Sequence, residues 1–430
     1  MNFDEQKYKA LRILSEPKDS KLVTHLNSCV HGGLCAESCM YYLATKDEKF
    51  IPAYKVDLIS SIYRHYCTFT GKYFPQLTNA RRLDEALVTE MADQLFGACT
   101  LCGRCTKHCS IGVDIAYIVR KGREMLSVMG YVPATLQSTV NAALQTGNNM
   151  SIPVEELKDT LSWLEDELRD EVEDPQASIP LNQPDANVLY TLNPREPKFF
   201  PLSISAMAKI FYAAKESWTL STSMYDVTNY AYFTSNTDEA EIISKRLYNE
   251  TLILNAKRCV LAECGHGSRT FRWEAPNYLK KSFPFEVLTS VELIAEYISK
   301  GKIKLDKELN KELVTLHDPC NLVREGGIVE EQRYIIKHAA SEFIEMTPHG
   351  IDNFCCGGGG GQLAMSEYNE RRMKIAEVKA EQIRKTGASI VVSPCHNCVD
   401  QLMQIDNKFK LGVKIKTLSE IVADAIVLEK

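Results

Sequence analysis

Asn353-Phe354-Cys355-Cys356-Gly357-Gly358-Gly359-Gly360-Gly361 decides how the C-terminal part of this chain is read. An adjacent cysteine pair runs directly into five glycines. Thirty-four residues separate Cys320 from the pair, and 38 more separate the pair from Cys395-His396-Asn397-Cys398. Five thiolates are one more than a cubane iron–sulfur cluster or a structural zinc takes. Adjacent cysteines are also awkward as two ligands of one tetrahedral ion. The glycines let backbone come close to a bound group and accept positive φ, and their N–H groups can donate to sulfides. Gly357, Gly358 and Gly359 are therefore expected to line the bound group. A nucleotide loop is the rival reading, but Gln362 occupies the last glycine position of GxGxxG, and the Lys-Ser/Thr of a P-loop is missing.

The rest of the composition fits a redox metal protein. At 430 residues the chain is long enough for two or three domains. A net charge of −6 gives no reason to expect nucleic acid or an anionic membrane surface as partner. Met1-Asn2-Phe3-Asp4-Glu5 is polar and acidic, unlike a signal peptide. No apolar run reaches the roughly 18–20 residues that span a bilayer; Ile421 to Leu428 is short and interrupted by Asp424. A soluble, cytoplasmic protein is expected, able to dock on the inner face of the membrane. Fifteen cysteines, an odd number without an export signal, argue against a disulfide framework and for metal. Twelve fall into three groups, leaving Cys67, Cys259 and Cys264.

Cys99-x2-Cys102-x2-Cys105-x3-Cys109 has the spacing of a bacterial ferredoxin, where three cysteines bind one cubane and the fourth binds its neighbour. A zinc ribbon would separate two Cys-x2-Cys pairs more widely. The companion run should repeat that spacing but reads Cys29-Val30-His31-Gly32-Gly33-Leu34-Cys35-Ala36-Glu37-Ser38-Cys39, with Gly32 where a cysteine is expected. Cross-ligation assigns Cys39, Cys99, Cys102 and Cys105 to one [4Fe-4S] cubane. It leaves Cys29, Cys35 and Cys109 for the other. That second group is open between a three-iron cluster, a cubane with an outside ligand such as His31 or Cys67, and no cluster.

Segments 1–135 read as an all-helical ferredoxin-like domain, with one helix from Ile115 to Met129 ending at Gly130. Residues 136–186 read as a helical linker. Its stripe of Val154, Leu157, Leu161, Leu164 and Leu168 predicts an amphipathic helix, and prolines crowd 175–186. From 187 the pattern changes to short apolar strands, 188–190, 314–316 and 390–392, with helices predicted over 324–343 and 363–386. Two halves, 187–300 and 301–430, align. Asn193-Pro194 stands where Pro319-Cys320 does, and Glu263-Cys264-Gly265-His266-Gly267 where Pro394-Cys395-His396-Asn397-Cys398 does. On that alignment the first half keeps only Cys264. His266 and Arg269 then occupy former cluster space, His266 to supply a proton and Arg269 to hold an anionic substrate group. His317 and His396 flank ligands and are expected to support them.

The order C-x34-CC-x38-C-x2-C with its glycines resembles the CCG domain of heterodisulfide reductases. The whole layout is similar to their D subunit and to the K-type subunits of membrane complexes in sulfate reducers. The resemblance implies an α+β multidomain protein: a two-cluster ferredoxin-like domain followed by a duplicated α/β CCG domain. It also implies that Cys320, Cys355, Cys356, Cys395 and Cys398 hold a non-cubane [4Fe-4S] cluster. The function it implies is reduction or formation of a disulfide-type bond, one electron at a time, on a small thiol or a protein cysteine. The partner implied is a cytochrome b-like membrane subunit. The alternative is a pure electron relay in a complex with a flavoprotein or dehydrogenase.

Overall fold

The structure, a computed structural model, describes residues 3–15 and 20–428. They form two compact units. One comprises residues up to Ser138 together with Tyr230–Thr237 and Gly357–Lys379; the other comprises Thr139–Asn229, Asp238–Cys356 and residues from Ala380 onward.

The first unit is helical. Its main helices begin where side chains satisfy the free N–H groups of a first turn: Asp84 accepts from Leu87 N at 2.9 Å and Asp114 from Tyr117 N at 3.1 Å. Pro52 starts the helix Pro52–Cys67, where a missing N–H costs nothing. The helix Ile115–Val128 stops before Gly130, whose φ of +79° fits the left-handed end of a helix. Ile118, Val119, Met125 and Leu126 are buried on its inner face.

The second unit holds two four-stranded parallel sheets. In the first, β1 (Val188–Tyr190), β2 (Trp218–Leu220), β3 (Arg258–Leu261) and β4 (Glu286–Thr289) lie in the order β2-β1-β3-β4. In the second, β5 (Val314–Leu316), β6 (Phe343–Glu345), β7 (Ile390–Val392) and β8 (Lys414–Lys416) lie in the order β6-β5-β7-β8. The strand order is the same. The helix after β4 and the helix after β8 also start on identical capping boxes, Thr289 with Glu292 and Thr417 with Glu420. The packing is reciprocal: the helix Pro201–Ala213, after β1, packs on Leu418–Ala425, after β8, while Glu330–Ala339, after β5, packs on Ser290–Ser299, after β4. One apolar core runs through both sheets and includes Val188, Leu261, Val314 and Val392.

The predicted apolar stripe forms the helix Val154–Val172, with Leu157, Leu161, Leu164 and Leu168 in that core. Residues 175–186 run along the sheet edge: Leu220 N donates to Pro180 O at 2.9 Å and Asn182 N to Leu220 O at 2.8 Å. Two helix expectations need correction. Residues 324–343 hold only the helix Glu330–Ala339, because Gly326-Gly327 break the start (Gly327 φ +73°) and Phe343 opens β6. Residues 363–386 form short 3₁₀ turns and then two helices, Asn369–Ile375 and Glu377–Thr386. No helix among the described residues is long and apolar enough to cross a membrane.

Candidate iron–sulfur sites

In the helical unit the seven cysteines of the two runs lie close to one another in two groups. Cys105 is half-buried and its thiol is pushed up, first by burial and then by neighbouring Cys102, Cys99, Cys39 and Cys35. Burial likewise raises Cys39, with Cys102 and Cys99 beside it. Cys35 has other close thiols, Cys29 and Cys109, and those three line one small cavity of about 40 Å³ with His31 and Gly32. Two cysteine sets, four and three, are therefore gathered side by side, with Cys35 of the smaller set near Cys105 of the larger.

The four-cysteine set lies beside two buried cations, Lys55 and Arg123, whose charges favour the thiolate of Cys99. Burying two cations is costly unless anions compensate them. A cluster held by four thiolates carries net negative charge, so the donor set and its surroundings fit a [4Fe-4S] group. Arg123 also fixes the loop. Its guanidinium, 0% exposed, donates to Leu95 O (3.0 Å), Phe233 O (2.9 Å), Gly360 O (2.8 Å) and Cys99 O (2.8 Å). Nothing in the sequence around residue 123 marks this role; only the fold brings the four carbonyls together.

Part of the glycine run serves this unit. A Cβ on Gly360 would meet Thr100 C at 2.6 Å and Cys99 O at 2.9 Å, and φ there is +66°. A Cβ on Gly361 would meet Leu136 Cδ1 at 2.9 Å. Gly357 and Gly358 are buried and Gly359 half-buried; Gly357 has φ +98°.

In the second unit Cys320, Cys355, Cys356, Cys395 and Cys398 are all buried and none is in a disulfide. Cys320 follows β5 and Cys395 follows β7, flanking the point where the strand order changes direction, the usual ligand crevice of a parallel sheet. Cys356 Sγ and Cys398 Sγ are 3.3 Å apart. A ring nitrogen of His317 lies with them inside a 4.8 Å group of candidate ligand atoms. Hydrogen bonds from the Cys398 thiol and from Gly265 N, at 3.5 Å, hold the Cys395 thiol below its usual value. Such clustered, desolvated sulfurs fit a metal cluster and not a set of inert core thiols.

The equivalent crevice of the first sheet faces this site. Asn193, after β1, and Cys264, after β3, are joined by Asn193 Nδ2 to Cys264 Sγ at 3.5 Å. His266 Nδ1 lies 3.4 Å from Cys264 Sγ and 3.3 Å from Asn397 Nδ2. Burial first, then the charge of Arg195, lowers the His266 pKa to about 3, so the ring is neutral at pH 7. Arg269 is engaged by Glu325 at 3.2 Å and Glu274 at 3.6 Å. His396 is a support: Nδ1 lies 3.0 Å from Glu263 O and Nε2 2.9 Å from Ser203 Oγ, with Ser203 donating on to Glu196. Glu263 in turn accepts from Ser419 N at 2.9 Å. Sequence reasoning missed Asn193, Asn397 and Ser203, none of which carries a spacing that marks it.

Comparison with known proteins agrees with this division. The family described as a 4Fe-4S dicluster domain matches residues 25–113, and the cysteine-rich domain family matches residues 314–403. The chain is similar to the Hdr-like menaquinol oxidoreductase iron–sulfur subunit 2 of Archaeoglobus fulgidus: 28% identical, over 96% of this chain and 81% of the relative. It is similar to the D subunit of the dihydromethanophenazine:CoB–CoM heterodisulfide reductase of Methanosarcina mazei: 25% identical, over 94% of this chain and 95% of the relative. A further relative is the EtfAB:quinone oxidoreductase of Syntrophomonas wolfei, 22% identical over 88% of this chain and 54% of the relative.

Proposed function

We propose that this chain, a relative of the CCG-type iron–sulfur subunits of heterodisulfide reductases, is an electron-relay subunit of a quinone-linked redox complex. The observation that carries the reading is the gathering of twelve cysteines into three buried or half-buried sets. One has four members beside Lys55 and Arg123, one has three around a small cavity, and one has five at the crevice of the second sheet. Clusters bound there would supply one-electron transfer. The protein's part is to exclude water, to donate N–H groups such as Gly265 N to sulfur, and to place buried cations that favour the reduced, more negative state. Two relatives named for menaquinol and quinone oxidoreduction support the quinone link.

Within this reading Cys320, Cys355, Cys356, Cys395 and Cys398 hold a non-cubane cluster. The two halves of the second unit descend from a duplication, which the equal strand order, the paired capping boxes and the reciprocal helix packing support. The Cys264–Arg269 remnant favours the K-type subunits. A cytochrome b-like membrane subunit or a flavoprotein is the partner, at the cytoplasmic face of the membrane. Support for a membrane position comes from exposed Phe69, Tyr73, Phe74 and Leu77, four apolar side chains within nine residues and bordered by Lys72, Arg81 and Arg82. Aromatic and aliphatic side chains with cations alongside suit an anionic lipid surface.

A second reading, thiol/disulfide chemistry at the five-cysteine site, is favoured by the placement of His266 beside Asn397 and of Gly265 beside Cys395. Cleaving a disulfide takes two electrons and two protons and yields two thiols. His266, neutral at pH 7 and so not the proton donor its position in the sequence suggests, would position the substrate while water supplies both protons, and Arg269 would hold the anionic group of the substrate. The complex purified anaerobically with its native partners decides between the readings. Quinol should reduce its clusters, and Cys356→Ser should abolish electron transfer to the partner acceptor while the ferredoxin-type signals survive. A complex inert to quinone but turning over a thiol/disulfide couple would replace the relay reading with the second.

A further inference from the structure

The three-cysteine set lacks a fourth thiolate because position 32 is glycine. His31 lines the same cavity as Cys29, Cys35 and Cys109. The side chain is 53% exposed, and its ring is held by one carboxylate. Its Nε2 lies 2.9 Å from Asp57 Oδ1 and 3.0 Å from Oδ2. Metal-bound histidines commonly donate one ring N–H to a carboxylate, which fixes the tautomer and leaves the other nitrogen's lone pair for the metal. Asp57 is in register for this: Ala53, one turn earlier on the helix Pro52–Cys67, also lines the cavity.

The competing ligand is excluded by length. Cys67 ends the helix that carries Ala53, so it lies roughly 20 Å along the axis from the cavity wall at 1.5 Å per residue. Its thiol is raised by burial alone, with no other thiol contributing.

We infer that His31, through Nδ1 and held by Asp57, is the fourth protein ligand of the second ferredoxin-type cluster, completing the set Cys29, Cys35 and Cys109. This rests on the reading of the helical unit as a two-cluster carrier. Replacing a thiolate with an imidazole removes a negative charge and raises the potential, as it does in Rieske centres. The two ferredoxin-type clusters would then differ in potential.

The test is pulsed EPR on the full chain, reconstituted anaerobically and partly reduced, with and without 15N-labelled histidine. One ferredoxin-type signal should show a directly coordinated 14N that changes to 15N on labelling. His31→Ala should lose that coupling and about one iron per chain. The same variant should gain the isotropic signal of an oxidised three-iron cluster. His31→Cys should restore the fourth iron without nitrogen coupling and at a lower potential. Asp57→Asn should keep the iron but shift the potential and the nitrogen coupling, which a merely structural contact would not move. Two ferredoxin-type signals with no coordinated nitrogen, or His31→Ala with unchanged iron content and spectra, would overturn the inference alone. A single ferredoxin-type signal would overturn it together with the two-cluster reading.

Discussion

Arg123→Lys keeps the buried charge and removes the planar fork. The guanidinium binds four backbone carbonyls, those of Leu95, Cys99, Phe233 and Gly360, at 2.8–3.0 Å. It also stacks over Phe96, with 4.7 Å between the guanidinium carbon and the ring centroid. An ammonium is a single point with three donors on a shorter reach, so one or two of these four carbonyls would lose their partner. A buried polar group left unpaired costs about 1–3 kcal/mol, which puts the loss on the order of 1–6 kcal/mol. Against a typical stability of 5–15 kcal/mol that is a large fraction. At about 2–4 °C per kcal/mol for a unit of this size, the apparent melting point should fall by roughly 10 °C. Cluster loss makes unfolding irreversible, so the assay is the bleaching of visible absorbance during a fixed-rate anaerobic melt, with iron content measured before it. Because the fork fixes the Cys99 carbonyl beside a ligand, the Cys39/Cys99/Cys102/Cys105 cluster should bleach first. A variant melting within about 2 °C of the wild type with full iron would refute the clamp.

Gly360→Ala should be far worse than Gly301→Ala, although both glycines have positive φ. A Cβ at 360 meets the Thr100 backbone at 2.6 Å whereas one at 301 meets nothing within 4 Å. The former should lose the four-cysteine cluster's EPR signal, and the latter should cost only about 1–2 kcal/mol in a melt. Burial raises the Asp226 carboxyl from 3.8 to about 7, even though it accepts Thr228 N at 2.6 Å and Asn149 N at 2.9 Å. A raised folded pKa means stability that is complete below pH 4 and lost as pH rises through 7, on the order of 4 kcal/mol. Chemical denaturation between pH 5 and 8 should therefore show falling stability in the wild type and a flatter profile in Asp226→Asn. Co-sedimentation with phosphatidylglycerol vesicles should weaken at least tenfold in Phe74→Glu/Leu77→Glu, since burying each side chain is worth about 1.5–3 kcal/mol. Equal binding by both proteins would remove the membrane face.

What the sequence made legible was local. Cysteine spacing marks the ligand sets because a cluster's geometry is written into short intervals, and β1, β5 and β7 show as continuous apolar runs because they lie inside the sheets. The edge strands β4 and β8 escaped notice: Glu286 and Lys414 are exposed and each strand is only three or four residues long. The helix predicted over 324–343 is too long because apolar spacing alone carries it through Gly326-Gly327, where the backbone turns. The glycine run reads as serving only the five-cysteine site, yet Gly360 packs on the Cys99–Thr100 backbone, a pairing across some 260 positions. Arg123, Asp57 and Asn193 share that difficulty. Each works through partners that only the folded chain supplies, so their neighbours in sequence carry no sign of the role.

The central claim, a relay and not a site of disulfide turnover, is tested most directly by freeze-quench EPR on the native complex. Reduced quinone, and separately a panel of small thiols, would be mixed with oxidised protein and the cluster signals followed in time. The account expects the ferredoxin-type clusters and then the five-cysteine cluster to become reduced with quinol alone, and no thiol to alter the latter's oxidised spectrum. A thiol that perturbs the five-cysteine signal, with no response to quinol, would contradict it.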